Sequence, residues 1–223
     1  MNFPDGLFSQ NWQWAAWLTL PLPLAWALRT APWRRVLEAN RTHVWFGAIV
    51  SLSLLWSMKA GVRPGLTLHL LGATALTLMF GFRLAFLGML AVLAATTANG
   101  AAGWAAYGLN AWVTALLPCA AAWAGLRLVQ RWLPPNLFVY LFAGAFANAG
   151  LVVALTALAA AALLRAASVY DGAVLIGDFL PYSLLVGFSE AWLTGAFITL
   201  FVVYRPAWVS TFDDRIYLKE RRS

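Results

Sequence analysis

Residues 141–164 read LFAGAFANAGLVVALTALAAAALL, and this stretch contains no charged residue. A helix needs about 20 apolar residues to cross the hydrocarbon core of a bilayer, so the stretch is long enough to span a membrane. Small residues recur four positions apart along it, namely Ala143 and Ala147, Ala145 and Ala149, and Gly150 and Ala154. Such spacing lets another helix approach closely, and that helix belongs either to the same chain or to another membrane subunit.

The composition indicates that the whole chain is a membrane protein. Of its 223 residues, 62% are hydrophobic and 10% are charged, whereas about 25% are charged in soluble domains. The length suits one transmembrane domain over residues 1–223. The formal net charge of +7 is interpreted as attraction to anionic lipid and as the positive-inside rule, with no nucleic acid as partner.

Seven apolar segments follow one another along the chain. They lie at about 11–28, 42–58, 66–82, 84–98, 104–126, 136–164 and 173–204. Turn and stop signals separate several of them, including Arg63-Pro64-Gly65 and Pro134-Pro135. We therefore predict an all-α fold, an integral membrane bundle of seven transmembrane helices.

The basic residues predict how this bundle is oriented. With the amino end outside, the outer segments hold only Lys59, Arg63 and Arg165, so 12 of the 15 basic residues face inward. Cytoplasmic loops carry such an excess of lysine and arginine. We predict an outer amino-terminal segment at 1–10 and a cytoplasmic basic tail at 205–223, which can contact partners or anionic lipid.

The chain lacks the common signatures of ATP hydrolysis and catalysis. Neither of its two lysines follows a glycine, so there is no GxxxxGK[ST] phosphate loop. The patterns HExxH, GxSxG and CxxC are also absent. We predict that the protein is not an enzyme, and that any uphill transport needs ATP hydrolysis by another chain.

The amino-terminal sequence MNFPDGLF carries one acid and no base, unlike the start of a signal peptide. We interpret Met1 as a free amino end outside the membrane. Ten residues reach at most about 33–36 Å, enough to fold back onto His69, which is predicted near the outer end of the third helix. A terminal amine, the next backbone nitrogen and an imidazole suit Ni(II) or Cu(II). The alternatives are a Pro4-Asp5-Gly6 turn and a histidine that only hydrogen-bonds within the bundle.

Few other polar residues lie within the predicted spans. Glu190 is near the middle of the last helix, where a carboxylate is costly unless it is paired or hydrated. It lines a substrate path in one interpretation and fixes the bundle by a hydrogen bond in the other, and Asp5 and Asn110 are open to the same two interpretations. His43 and His69 are predicted roughly 25 Å apart along the helix axis, which argues against a haem held by both. We expect no resident cofactor.

Four stretches resemble the substrate-binding membrane components of energy-coupling-factor transporters for cobalt and nickel, the CbiM/NikM family. They are MNFPDGLF at 1–8, HLLGATALTLMFG at 69–81, NGAAGWAAYGLNAW at 99–112 and SEAWLTGAFITLFVVYRP at 189–206. The match includes Met1 and Asp5 in the first stretch, and His69, Asn110 and Glu190 in the others. The similarity therefore runs from end to end.

The resemblance implies a metal site. In the family, the ion is held by the terminal amine, by the backbone nitrogen and imidazole of the second residue, and by the histidine that matches His69. Met1 and His69 carry over, but the second residue is Asn2, whose amide oxygen is a weaker ligand for nickel or cobalt. The implied ligands are Met1, Asn2 and His69. Either an oxygen of Asn2 or Asp5 rebuilds the site, or the metal differs, or metal binding is lost.

The resemblance also implies a function. The expected substrate is a divalent transition metal ion, Co2+ or Ni2+, taken up across the cell inner membrane. The expected partners are a transmembrane coupling protein and the ATPase subunits of an energy-coupling-factor complex. Two alternatives remain open: a non-transporting membrane scaffold or assembly factor, and a family member with a different substrate.

Overall fold

The computed structural model describes residues 2–37, 41–58, 60–100 and 102–218, and most of these residues are helical. The helices are α1 (Gln10–Thr19), α2 (Pro21–Thr30), α3 (Trp33–Leu37), α4 (Thr42–Ser57), α5 (Ala73–Phe80), α6 (Phe82–Ala98), α7 (Tyr107–Trp132), α8 (Leu137–Ala166), α9 (Gly172–Tyr204) and α10 (Asp214–Tyr217). A short 3-10 turn, Pro206–Trp208, lies between the last two.

Among the described residues, three helices, α7, α8 and α9, are long and apolar enough to cross a membrane, and α4 and α6 are shorter apolar helices. Each of the three long helices contains a π-helical segment: Ala111–Leu116, Tyr140–Ala147 and Leu175–Phe179. Large apolar side chains such as Leu151, Phe188 and Trp192 are exposed along α8 and α9. Such surfaces suit lipid rather than water, as expected of a multi-pass membrane protein.

Helices α8 and α9 pack closely because glycines face each other at their crossing. A Cβ atom on Gly150 would lie 3.4 Å from Gly187 O, and one on Gly187 would lie 3.3 Å from Gly150 O. Ala145 and Ala149 are fully buried as well. These small residues of the stretch at 141–164 therefore pack within the chain and let two backbones approach.

The first apolar segment, predicted as one helix over 11–28, is divided into α1 and α2 at Leu20. Pro21 begins α2. A proline has no backbone N–H and its ring crowds the preceding turn, so a helix cannot pass through it undisturbed. The helix predicted over 11–28 is therefore interrupted at this point, although Leu20 keeps helical φ and ψ angles.

The prediction of a helix over 66–82 is also wrong. Its first residues form strand β2 (Leu66–Leu68), which pairs antiparallel with β1 (Ala60–Arg63), and helix α5 begins only at Ala73. The all-α prediction therefore misses a two-stranded hairpin. The predicted turn at Arg63-Pro64-Gly65 is confirmed, because it joins these strands and Gly65 has the left-handed φ of +80° that favours glycine.

Residues 69–72, which we call the His69 loop, connect β2 to α5 without regular structure. Of the residues 66–80, twelve are buried and three are half-buried. Non-helical backbone in a membrane protein is tolerated where protein surrounds it and pairs its polar groups. Gly72 has a φ of +71°, and the Leu52 side chain fills the space that a Cβ atom would need. The loop is therefore enclosed by protein.

The chain beyond α9 returns to the carboxyl end of α5. Ser210 N donates a hydrogen bond to Met79 O at 2.9 Å, and the Thr211 hydroxyl donates to Leu78 O at 2.8 Å. The last carbonyls of a helix lack partners within the helix. This segment supplies partners for two of them, so α5 is held at its carboxyl end by residues that follow α9.

Candidate metal site

The amino-terminal segment, residues 2–9, begins inside the fold. Asn2 and Phe3 are 3% and 0% exposed. Asn2 N donates to Thr67 Oγ1 at 3.0 Å, and the Thr67 hydroxyl is 3.4 Å from Asn2 O. Thr67 and His69 are two residues apart, and two extended residues span about 7 Å. The structure therefore brings residue 2 close to the backbone of His69, while the predicted ligand Met1 lies outside the described residues.

Asn110 and Asp5 fix this segment against α7 and the residues that precede it. Phe3 N donates to Asn110 Oδ1 at 2.7 Å, and Asn110 Nδ2 donates to Phe3 O at 3.0 Å. Asp5 Oδ1 accepts from Ala106 N at 2.9 Å. Asn110 is fully buried. Its side-chain amide binds both the N–H and the carbonyl of Phe3, as the backbone of a neighbouring β-strand would. These contacts position the amino-terminal segment.

The side chain of Asn2 lacks the partners that its backbone has. Within the part of the chain that the structure describes, its Oδ1 and Nδ2 atoms are buried and make no hydrogen bond. Burying an amide without a partner costs roughly 1–3 kcal/mol by protein mutational data. An ion bound to Oδ1 would offset part of this cost, so the amide oxygen is a candidate ligand.

His69 is the first residue of the loop and not, as predicted, part of a third helix. It is 3% exposed, and its ring packs against Trp56 of α4 with 4.4 Å between the ring centroids. Its Nδ1 lies 3.0 Å from Leu70 O. A carbonyl only accepts, so Nδ1 carries the hydrogen in this bond. The lone pair of the neutral ring is then on Nε2, as a metal ligand requires.

Glu190 of α9 is 3% exposed and pairs with the His69 loop. Its Oε2 accepts from Leu71 N at 2.8 Å and its Oε1 accepts from Gly72 N at 2.6 Å. These two amides come directly before the first residue of α5. The N–H groups at the start of a helix have no partner within the helix, and Glu190 supplies one. Trp56 Nε1 donates to Leu71 O at 3.2 Å. Two helices therefore fix the loop that carries His69.

His43 lies far from this region. It is near the start of α4, and the thirteen residues from His43 to Trp56 rise about 20 Å along a helix. His43 borders an apolar cavity of about 410 Å³ together with Met79 and Trp208. The two histidines of the chain therefore occupy different parts of the fold.

Sequence reasoning missed three contributors to the site region, Thr67, Trp56 and the Ala106 amide. No motif distinguishes them, because a threonine, a tryptophan and an alanine are common in apolar segments. Among the described residues, no group of three or more His, Cys, Asp or Glu side chains is placed to hold a metal ion. A metal site beside His69 would therefore need amide oxygen or main-chain donors.

Comparison with known proteins adds a family. The chain matches the family described as "Cobalt uptake substrate-specific transmembrane region", CbiM, over residues 2–208. It is similar to a solved structure described as a truncated transition metal transporter, with 18% identity and a TM-score of 0.71 over 91% of this chain and 98% of that chain. A structure described as a transition metal transporter gives 18% identity and a TM-score of 0.67 over 91% and 93%. At these identities the likeness shows the fold. No curated protein matches the chain.

Proposed function

The chain belongs to the CbiM family of cobalt-uptake transmembrane proteins, and from this we propose that it captures Co2+ or Ni2+ as its substrate for uptake. It is a transport component and not an enzyme. We place the capture site at the amino end, with Met1, Asn2 and His69 as ligands. The observation that carries the proposal is the buried amide of Asn2, whose oxygen has no partner among the described residues and whose backbone binds Thr67 beside His69.

The proposed ligand set mixes nitrogen and oxygen. A backbone nitrogen binds a metal only after losing its hydrogen, and the Asn2 N–H instead donates to Thr67 Oγ1. The Asn2 side-chain oxygen then takes the place of an imidazole nitrogen, beside the terminal amine and His69 Nε2. Carbonyl oxygens suit harder ions than imidazole does. We therefore expect a site that is not square-planar, which favours Co2+ over Ni2+.

The proposed topology has seven passes, with the amino end outside and the tail at 205–223 in the cytoplasm. The 12-to-3 distribution of basic residues between the two sides supports this orientation. In this arrangement β2, the His69 loop and α5 together form the third pass. The membrane is the cell inner membrane, and residues 1–223 act as one domain.

The proposed partners are a transmembrane coupling protein and ATPase subunits of an energy-coupling-factor complex. The chain has no phosphate loop of its own, so ATP hydrolysis must come from other chains. The basic tail offers a charged surface for partners or anionic lipid. Cells that express this chain with and without such subunits should differ in their uptake of radioactive cobalt.

The first test measures metal bound to the purified protein. The chain is prepared in detergent with an unmodified amino end, equilibrated with Co2+ or Ni2+, and its metal content and affinity are measured. We expect His69→Ala to weaken binding by more than the roughly 10–100-fold that loss of an outer-shell partner causes. One residue added before Met1 should weaken binding similarly, because it displaces the terminal amine.

His43→Ala is the matched control. It removes the other histidine, which lies about 20 Å along α4 from Trp56, and should leave affinity unchanged. Negligible metal in the unaltered protein, for both ions, would reject the proposal and favour a scaffold or another substrate. Equal binding by the unaltered protein and by His69→Ala would reject the site.

A further inference from the structure

The peptide group that joins Leu70 to Leu71 connects two side chains of the site region. Its carbonyl oxygen, Leu70 O, lies 3.0 Å from His69 Nδ1. Its amide, Leu71 N, donates to Glu190 Oε2 at 2.8 Å. A peptide group is planar and nearly rigid. The imidazole of His69 and the carboxylate of Glu190 therefore hold opposite ends of one rigid unit.

The contacts of Glu190 fix how this unit is rotated. Glu190 Oε1 also accepts from Gly72 N, at 2.6 Å, so one carboxylate binds two consecutive amides. Bonds from N–H groups to an ionised carboxylate are short and roughly twice as strong as neutral ones. Trp56 Nε1 binds the next carbonyl, Leu71 O, at 3.2 Å. The loop backbone cannot rotate without breaking several of these bonds.

The rotation of this peptide decides which nitrogen of His69 carries the hydrogen. With Leu70 O facing the ring, Nδ1 must donate and the lone pair is on Nε2. Hydrogen bonds in a chain polarise one another. A carboxylate at the N–H end therefore makes Leu70 O a stronger acceptor and His69 Nε2 a stronger donor to a metal. Histidine ligands commonly need such a partner on the other ring nitrogen.

We propose that Glu190 is a positioning residue for His69. Acting through the Leu70–Leu71 peptide, it holds the imidazole in the tautomer that presents Nε2. The role as a metal-site residue rests on the proposed function, in which Nε2 binds the ion. Both carboxylate oxygens bond backbone amides of the loop, so Glu190 acts on the ring through the loop backbone.

The decisive test is Glu190→Gln, read by nitrogen NMR of the protein labelled at its histidine rings. The chain has two histidines, so His69→Ala assigns the signals and His43 is an internal reference. The NH2 group of the glutamine side chain is a donor and would face one of the two loop N–H donors, so one of the two hydrogen bonds would be lost. In the metal-free protein we expect the His69 ring to shift from one tautomer to a mixture, while His43 does not change. The affinity for Co2+ should fall roughly 10–100-fold.

Asn148→Ala is the matched control for a merely structural role. Asn148 is also buried and binds backbone of another helix, donating to Ala122 O at 2.9 Å. Its loss should lower the thermal midpoint without changing the His69 signals or the affinity. Glu190→Asp provides a second variant if Glu190→Gln does not fold, because it keeps the charge but shortens the reach to the loop.

The outcomes separate this inference from the proposed function. Unchanged His69 signals in a folded Glu190 variant would overturn the inference, whether or not metal binds. A changed tautomer with no loss of Co2+ affinity would overturn the positioning role in a protein that binds metal. A changed tautomer in a protein that never binds metal would reject the proposed function and leave the link between Glu190 and His69 standing.

Discussion

The α8–α9 crossing and the His69 loop are both tightly packed, but different contacts hold them. At the crossing, Gly150 and Gly187 let two backbones approach so closely that a Cβ atom would lie within 3.4 Å of the opposite carbonyl. In the loop, side chains of Glu190 and Trp56 bind consecutive backbone groups. The crossing depends on the absence of side chains, whereas the loop depends on particular polar atoms.

Because of this difference, we expect the crossing to determine mainly stability, and the loop and the amino-terminal segment to determine mainly metal binding. The crossing should reject large residues at these two glycines, because it needs only room. The loop and the amino-terminal segment should tolerate neither larger nor smaller residues, because every lost partner leaves a buried polar group unpaired. Substitutions at the crossing should therefore change folding, and substitutions at the site region should change metal binding at a smaller cost in stability.

The largest effect should come from Gly187→Leu. Its side chain would press against the backbone of α8, and overpacking of this kind costs about 1–3 kcal/mol, occasionally more. We expect the upper end or beyond, since backbone yields less than a side chain. Thermal unfolding in detergent, followed by size-exclusion chromatography, measures the loss. Gly177→Leu is the control, because no atom lies within 4 Å of a Cβ atom there. Equal stability of the two variants would contradict close packing at the crossing.

An intermediate effect should come from Asn110→Ala. It removes both bonds to Phe3, and a buried group left unpaired costs about 1–3 kcal/mol. If the segment detaches, the backbone groups of Phe3 can bind water, which limits the loss of stability. We therefore expect a smaller change in stability than for Gly187→Leu. Hydrogen–deuterium exchange of residues 2–9 should rise sharply, and metal affinity should fall.

Asn148→Ala sharpens this test, because it removes a second buried asparagine that binds Ala122 O rather than the amino-terminal segment. It should lower stability without raising exchange at residues 2–9. If both variants release the segment equally, the segment is held by the bundle as a whole and not by Asn110.

The smallest effect should come from Arg63→Ala. Arg63 pairs with Asp178 at 2.9 Å, with the two side chains 48% and 39% exposed. Exposed ion pairs contribute about 0–1 kcal/mol. The hairpin keeps another tie, since the Tyr170 hydroxyl donates to Pro64 O at 2.8 Å. We expect a thermal midpoint close to that of the unaltered protein at low salt and indistinguishable from it at high salt. A large loss would mean that the hairpin depends on this pair.

The sequence was a good guide to the long helices. The segments predicted at 104–126, 136–164 and 173–204 correspond to α7, α8 and α9, because length and apolar composition are sufficient to identify such helices. The two prolines at 134 and 135 lie between α7 and α8, as predicted. The small residues at a spacing of four indicated close packing, and the glycine at 150 meets its partner in α9.

The site region could be predicted only in part. His69, Asn110 and Glu190 were identified as polar residues in apolar surroundings, and the amino-terminal segment was predicted to fold back. Their partners were not predictable, because the bonds join residues that are 65, 107 and 119 positions apart. The apolar composition of 66–82 is compatible with either a helix or a buried strand and loop, and Glu190 pairs two of its amides from another helix.

The enclosure of residues 66–80 by protein has a consequence for the surrounding lipid. Long helices with exposed apolar faces respond to acyl-chain length by tilting, at a modest cost for each ångström of mismatch. The strand, the loop and the short helix α5 have little surface that lipid can touch, with twelve of these fifteen residues buried. Thinner or thicker bilayers should therefore tilt α8 and α9 while the surroundings of His69 keep their geometry.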